Sequence, residues 1–285
     1  VIEAVHEAGG AMAPQLWHVG AVRSRDPEFA TPETYDSPSG LTRPGKEFGK
    51  PMTEEEVADA IQAFANAALA AKQLGFETIE LHGAHGYLIH QFLSPKANRR
   101  NDQYGGSEEN RMRFCAEIVE AVRAHWPAHK PLFLRLSVED NAGWGPEESV
   151  RLARYVKPLG VDVIDCSSGG MTGAPVVSAG PVTYSYQVPY AEKIRHEVGM
   201  MTMAVGHIVH ADQAEEILQQ GRADLVALAR EALYNPNWAM DAAQKLGVDK
   251  RFDLVPPPQA YWLSKRAASV RSIVPSTYRC GISDG

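Results

Sequence analysis

The sequence predicts an α/β fold, a TIM (β/α)8 barrel in which the first two βα units are absent. Three observations predict it. Apolar runs alternate with longer helical patterns along most of the chain, the signature of repeated βα units around a parallel sheet. Polar and glycine-rich residues recur after each run, and a barrel assembles its site from the carboxyl ends of several strands. Neither GxGxxG nor a Walker sequence occurs, although an open doubly wound sheet would carry its phosphate loop in the first βα turn. The runs number six where a barrel needs eight strands, so roughly 80–100 residues are expected to precede Val1. Residues 1–285 then form a single domain, strands three to eight with a C-terminal tail.

The elements follow in order. Residues 1–10 read as the middle of an amphipathic helix, with Ile2, Val5 and His6 on one face and Gly9-Gly10 as its stop. Ala11–Trp17 is the first strand, and the Pro/Ser/Gly-rich segment Asp26–Pro51 a long surface loop. A helix then starts at Thr53, whose partner Glu56 completes a capping box, and ends at Gly75. Thr78–Leu81 is the next strand, followed by a polar excursion through Ser107 and a helix from Asn110 to about His125, broken by Trp126-Pro127. Leu132–Ser137 is a strand, and a helix over Glu147–Leu159 leads to the strand Val161–Asp165 and the loop Ser168-Gly169-Gly170. A helix from near Tyr190, the strand Met200–Val205, a helix over Ala211–Gln220, the strand Asp224–Ala229 and a helix from about Asn237 to Leu246 complete the series.

Composition narrows the function classes. Lys plus Arg number 28 against 35 Asp plus Glu, a net charge of -7, so no basic footprint suits a phosphate backbone and nucleic acid is not an expected partner. No apolar stretch approaches the ~18 residues of a membrane helix, and the first residues lack the basic and apolar regions of a secretion signal. Cys115, Cys166 and Cys280 have no CxxC spacing, which argues against a zinc site, an iron–sulfur cluster or a disulfide framework and fits a reducing, cytoplasmic setting. Cys115 and Cys166 read as small core residues. Ser168 stands outside any GxSxG elbow, so a serine hydrolase is not expected.

The densest chemical cluster is Glu80-Leu81-His82-Gly83-Ala84-His85-Gly86-Tyr87, where a strand ends. Imidazole N–H groups can bond a carbonyl or nitro oxygen, and a phenol can deliver a proton. The same histidines, with His90 nearby, are alternatively metal ligands or residues satisfied structurally in a loop, although no HExxH pattern or acidic third ligand is close. Gly206 and Arg230 each follow one of the last two strands, the usual barrel phosphate position, where they suit a phosphate monoester such as the tail of a flavin mononucleotide or a sugar phosphate. Arg230 alone reads equally as a surface ion-pair residue. Arg135 interrupts an apolar strand, so it is a ligand or ion-pair residue, because burying it unpaired is very costly. Gln15 interrupts another, to bond a heteroaromatic ring or to serve as a structural amide. Trp17 is core or pocket wall, and His18 is structural. Tyr261 and Trp262 either lay an aromatic edge over a flat cofactor, with Trp262 at the substrate, or pack the tail.

With Gln15-Leu16-Trp17-His18-Val19-Gly20, the His82–Tyr87 cluster, Tyr104-Gly105-Gly106-Ser107-Glu108-Glu109-Asn110-Arg111, Arg135 and Ala229-Arg230 in order, the sequence resembles the old yellow enzyme family over nearly its whole length. Its His/His pair, in place of His/Asn, is similar to the xenobiotic-reductase and thermophilic-like branch. The resemblance implies a barrel that binds FMN noncovalently, is reduced by NADPH or NADH, and reduces an electron-poor alkene or nitro compound. On that basis His82 and His85 hold the substrate oxygen, Tyr87 protonates the α-carbon, Gln15 and Arg135 contact the flavin pyrimidine edge, and Gly206 and Arg230 bind the phosphate.

Departures from the family pattern set further expectations. The family's first two strands, which carry a flavin-tuning Cys or Thr and a small residue against the ring, are not matched; Ala229 replaces the usual glycine, and Ala21 an arginine. A flavin pocket open on one side implies weak FMN binding and low activity, or completion by a partner. Only about 40 residues follow Leu246, which favours a single-domain ene-reductase over relatives with an added nucleotide-binding domain. Two other readings remain at this stage: a non-flavin phosphate-binding lyase or isomerase, with a metal on His82 and His85, and an inactive barrel fragment. A homo-oligomer is compatible with all of them.

Overall fold

The computed structural model describes residues 1–22, 35–41, 47, 49–171 and 183–271. Cys280 and the tail beyond Arg271 lie outside them. The chain divides into two compact units, Val1–Ile208 with Ile217–Ala227, and Val209–Glu216 with Leu228–Gly285.

The first unit opens with α1 (Ile2–Glu7), which stops at Gly9, and β1 (Gln15–Leu16). Two short strands, β2 (Asp36–Ser37) and β3 (Lys50–Pro51), pair parallel to each other. The expected capping box starts α2 (Glu54–Gln73): Thr53 Oγ1 accepts from Glu56 N, and Glu56 Oε2 accepts from Thr53 N. The chain then runs through β4 (Ile79–Gly83), α3 (Leu88–Leu93), α4 (Glu108–Arg123), β5 (Leu132–Ser137), α5 (Pro146–Val156), β6 (Val163–Ser167), α6 (Val188–Val198), β7 (Met201–Ala204), α7 (Ala211–Gln219) and β8 (Leu225–Val226). Strands β1, β4, β5, β6, β7 and β8 form one six-stranded sheet in that order, every pair parallel, which is the fold of a TIM-type α/β barrel.

Each expected strand is present; β5 keeps the expected bounds, Leu132–Ser137, and the others have shifted ends. The first and last shrink to two residues, whereas β4 and β6 run two residues further than expected and so carry His82 and Ser167 within the ladder. The polar excursion before Ser107 contains a helix of its own. Leu88, Ile89, His90, Gln91, Phe92 and Leu93 of α3 are all buried, so the segment has no exposed face for an amphipathic pattern to reveal.

Strand registers sort the side chains into two faces. Leu16, Leu81, Leu134, Ile164 and Thr202 form a row on one face, and Gly83, Leu136, Cys166 and Ala204 the next. Apart from half-buried Leu16, these residues are buried, and each large aliphatic side chain removed from water contributes about 1.5–3 kcal/mol. The other face gathers the polar groups, Gln15 beside Glu80, then His82, Arg135 and Asp165 in one row, then Ser137 beside Ser167, with Phe133, Val163, Met201 and Met203 among them. Polar groups on alternate residues of buried strands are costly unless paired, so this face is where function concentrates.

The YGGS-x-x-NR run braces the loop ahead of α4. Asn110 Nδ2 donates to Gly105 O at 3.0 Å, and Arg111 donates through Nε to Leu93 O and through a terminal nitrogen to Gly106 O. The second unit contains α8 (Arg230–Tyr234), α9 (Trp238–Lys245) and α10 (Pro257–Arg271), of which the sequence reading anticipates α9. It carries an open groove of about 630 Å³ bordered by Met240, Val255, Pro256 and Trp262.

Candidate active site

Strand β4 delivers His82 at its end, and the following turn delivers His85 and Tyr87. The turn is closed by Tyr87 N donating to Ala84 O at 3.2 Å, with His85 at φ +58° and Gly86 at φ +78°. Ser137 ties it to the sheet: its Oγ accepts from His85 N at 3.0 Å and donates to Gly169 O at 2.7 Å. His85 Nε2 lies 2.7 Å from Ser167 Oγ. The His82 ring centroid is 5.2 Å from that of His85 and 4.8 Å from that of Tyr87, all close to edge-on. Trp17 packs edge-on against Tyr87 at 4.9 Å, which places it as a wall of the cluster.

His82 Nδ1 accepts from Ala84 N at 3.2 Å, so in the neutral ring the proton resides on Nε2. Burial, helped by the neighbouring His85 and Arg135, lowers its pKa to about 3. His82 is therefore a neutral N–H donor at physiological pH. His18, expected to be structural, accepts from Gly20 N through Nδ1 at 3.0 Å, and burial lowers its pKa.

Arg135 pairs with the fully buried Asp165, Nη1 to Oδ2 at 3.0 Å, while its buried Nε has no hydrogen-bond partner. Gln15 donates through Nε2 to Glu80. Asp165 did not stand out in the sequence, and Glu80 did so only as the first residue of the cluster, with no role assigned; a carboxylate two residues before His82, and another two before Ser167, is the alternation that signals them. Burial pushes Asp165 up to about 7, with Arg135 pulling it back and Glu80 adding to the rise.

These two shifts act on stability with opposite signs. His82 falls from 6.5 to about 3, so its contribution is present above pH 6.5 and is lost as the pH drops toward 3. Asp165 rises from 3.8 to about 7, so its contribution is present below pH 3.8 and is lost as the pH climbs through 7. Between these limits the two slopes, each about 1.4 kcal/mol per pH unit, oppose one another. Denaturant titrations between about pH 4.5 and 6.5 should therefore show stability rising more steeply with pH in Asp165→Asn than in the parent, and less steeply in His82→Gln than in the parent. Parallel slopes in the two variants would refute the assignment.

Gly206, just after β7, adopts φ +116°, and a Cβ there would lie 2.8 Å from Gln187 Nε2. Arg230 is exposed and starts α8 in the second unit. Trp262 is an exposed residue of α10 in the second unit and packs edge-on against Tyr261. Among the described residues no group of three or more His, Cys, Asp or Glu is arranged to hold a metal ion. His90 is no third ligand: Nδ1 accepts from Gly86 N at 2.9 Å, and Nε2 faces Asp140 Oδ2 at 3.3 Å. Cys115 and Cys166 are buried, and burial raises the pKa of both thiols, that of Cys115 to about 12. No helix of the described residues is long and apolar enough to cross a membrane.

A parallel barrel-type sheet with its polar groups gathered at the strand ends defines a TIM-barrel enzyme, and imidazole and phenol donors beside a half-buried arginine suit redox chemistry on a polarised substrate. The chain belongs to the NADH:flavin oxidoreductase / NADH oxidase family, whose pattern matches residues 1–249. This is the group that includes the old yellow enzymes, FMN- and NAD(P)H-dependent oxidoreductases. It is 46% identical over 248 residues to an NADPH dehydrogenase of Halalkalibacterium halodurans, covering 86% of this chain and 70% of that one. It is 41% identical over 261 residues to an NADPH dehydrogenase of Bacillus subtilis, covering 91% and 72%. Among solved structures it is similar to morphinone reductase, with TM-score 0.70 and 28% identity over 86% of this chain and 68% of that one. It is similar also to a 2-naphthoyl-CoA reductase, with TM-score 0.77 and 25% identity over 86% of this chain but 39% of that one.

Proposed function

We propose that this chain is a single FMN-binding barrel domain that reduces activated C=C bonds of α,β-unsaturated carbonyl or nitro compounds, with electrons from NADPH or NADH, in the cytoplasm. The observation that carries the reading is the convergence of a neutral His82 Nε2–H, His85 and Tyr87 at one strand end. His82 donates to the substrate oxygen with His85 beside it, withdrawing electron density from the β-carbon. Because His82 is uncharged, it polarises that oxygen without transferring its own proton. Tyr87 gives its phenolic proton to the α-carbon and recovers one from solvent. FMN, when bound, would supply the hydride that the β-carbon receives.

The polar face fits such a cofactor. The orphaned Arg135 Nε is a buried donor that would cost about 1–3 kcal/mol if left unmade, and the pyrimidine edge of FMN offers the acceptor. Gln15 would hold the same edge and Gly206 the phosphate; Arg230 and Trp262, expected at the phosphate and at the substrate, belong to the second unit. The names of the relatives, NADPH dehydrogenase and morphinone reductase, support the cofactor and a small unsaturated substrate.

The test is anaerobic spectroscopy of the chain mixed with FMN and passed through gel filtration. A flavin band that co-elutes, bleaches with NADPH and returns on adding 2-cyclohexenone is the expected result. A band that bleaches but returns only with oxygen would overturn the alkene assignment, and failure to retain FMN would overturn cofactor binding by this chain.

A further inference from the structure

The turn that carries His85 and Tyr87 holds two successive residues at positive φ, and His85, lacking glycine's freedom, pays about 1–2 kcal/mol for it. Something must hold it there. Both backbone groups of Gly86, the residue between the two, are gripped by fully buried side chains of α3. Gly86 N donates to His90 Nδ1 at 2.9 Å, and Gly86 O accepts from Gln91 Nε2 at 2.6 Å. For His90 Nδ1 to accept, the ring proton must sit on Nε2, and that atom faces Asp140 Oδ2 at 3.3 Å, with both side chains fully buried. Neither atom has another hydrogen-bond partner. The other carboxylate oxygen, Oδ1, is committed to Ala142 N at 2.6 Å and Trp144 N at 3.1 Å. Asp140 is thus oriented by its own loop and presents a single acceptor to His90.

We propose that the buried Asp140–His90 pair is a positioning device: Asp140 fixes the His90 tautomer, and His90 fixes the Gly86 backbone and with it Tyr87. His90 is a positioning residue, since it acts through Gly86, and the inference rests on the proton-donor reading of Tyr87. A side chain displaced by about 1 Å is enough to slow a reaction about 100-fold, so a clamp on the adjacent peptide acts directly on the proton transfer.

Asp140→Asn tests this with hardly any change in volume. The two backbone donors keep the amide oxygen in the place of Oδ1, so the new NH2 group faces His90. Nε2 then becomes the acceptor, the ring proton moves to Nδ1, and two donors confront each other at Gly86 N. The measurements on the FMN-loaded chain are the His90 tautomer from 15N NMR and the two half-reactions by stopped flow. The expected result is Nε2–H in the parent and Nδ1–H in Asp140→Asn, flavin reduction by NADPH within about twofold of the parent, and alkene reduction slower by about ten- to a hundredfold. Where Asp140→Asn folds poorly, His90→Asn and His90→Leu carry the test: Asn keeps an acceptor near Nδ1 and should restore most of the alkene rate that Leu loses.

A tautomer switch with no loss of alkene reduction, in a chain where Tyr87→Phe is slow, would overturn the positioning role and leave the proton donor standing. Equal losses in both half-reactions would overturn it as well. If Tyr87→Phe is itself without effect, the proton-donor reading fails, and the inference with it.

Discussion

Tyr87→Phe is expected to slow reduction of an electron-poor alkene by about 10²–10⁴-fold, the usual contribution of a positioned general acid, while flavin reduction by NADPH proceeds at the parent rate. The substitution removes one oxygen and keeps the ring, so its edge-on contacts with His82 at 4.8 Å and Trp17 at 4.9 Å persist and folding stability should change little. Selectivity between the half-reactions is the decisive feature, because a proton is needed at carbon only when the alkene is reduced. Rapid-mixing traces of the two half-reactions recorded separately give the answer. A loss shared by both would mean that the ring shapes the pocket and that the proton comes from elsewhere.

Gly170→Ala is expected to destabilise the fold by about 2–5 kcal/mol and to abolish alkene reduction in the fraction that folds. A Cβ on Gly170 would sit 2.2 Å from His85 Cα and 2.3 Å from His85 C, both backbone atoms that cannot swing aside. The residue also adopts φ +101°, which alanine resists. The strain would fall on the turn between His85 and Tyr87, which Ser137 ties to the adjoining Gly169. Gly75 supplies the control: it has a comparable φ of +88° but nothing within 4 Å, so Gly75→Ala should lose only about 1 kcal/mol and keep its activity. Urea titration of both variants checks the comparison, and equal destabilisation would show that backbone conformation alone, and no close approach to His85, explains the glycine.

The clamp on Gly86 shows how function was divided between sequence and fold. The order of βα units, the Thr53–Glu56 cap and the His82, His85 and Tyr87 cluster were legible because each depends on near neighbours: a period, a cap three residues on, or donors crowded at one strand end. The solitary polar residues Gln15 and Arg135 were legible as anomalies in apolar runs. What they bond was not. Glu80 is 65 residues from Gln15, and Asp165 is 30 from Arg135, so only the register of parallel strands makes them neighbours. His90 read as one more imidazole near a possible metal, until folding placed Asp140, 50 positions away, against its Nε2.

The sequence by itself determined the repeating unit of the fold and the reactive groups at the strand ends, since local propensity and spacing require no distant partner. Tertiary structure alone decided the protonation of His82, the partners of Arg135 and the tautomer of His90, because desolvation and charge pairing are properties of the packed interior.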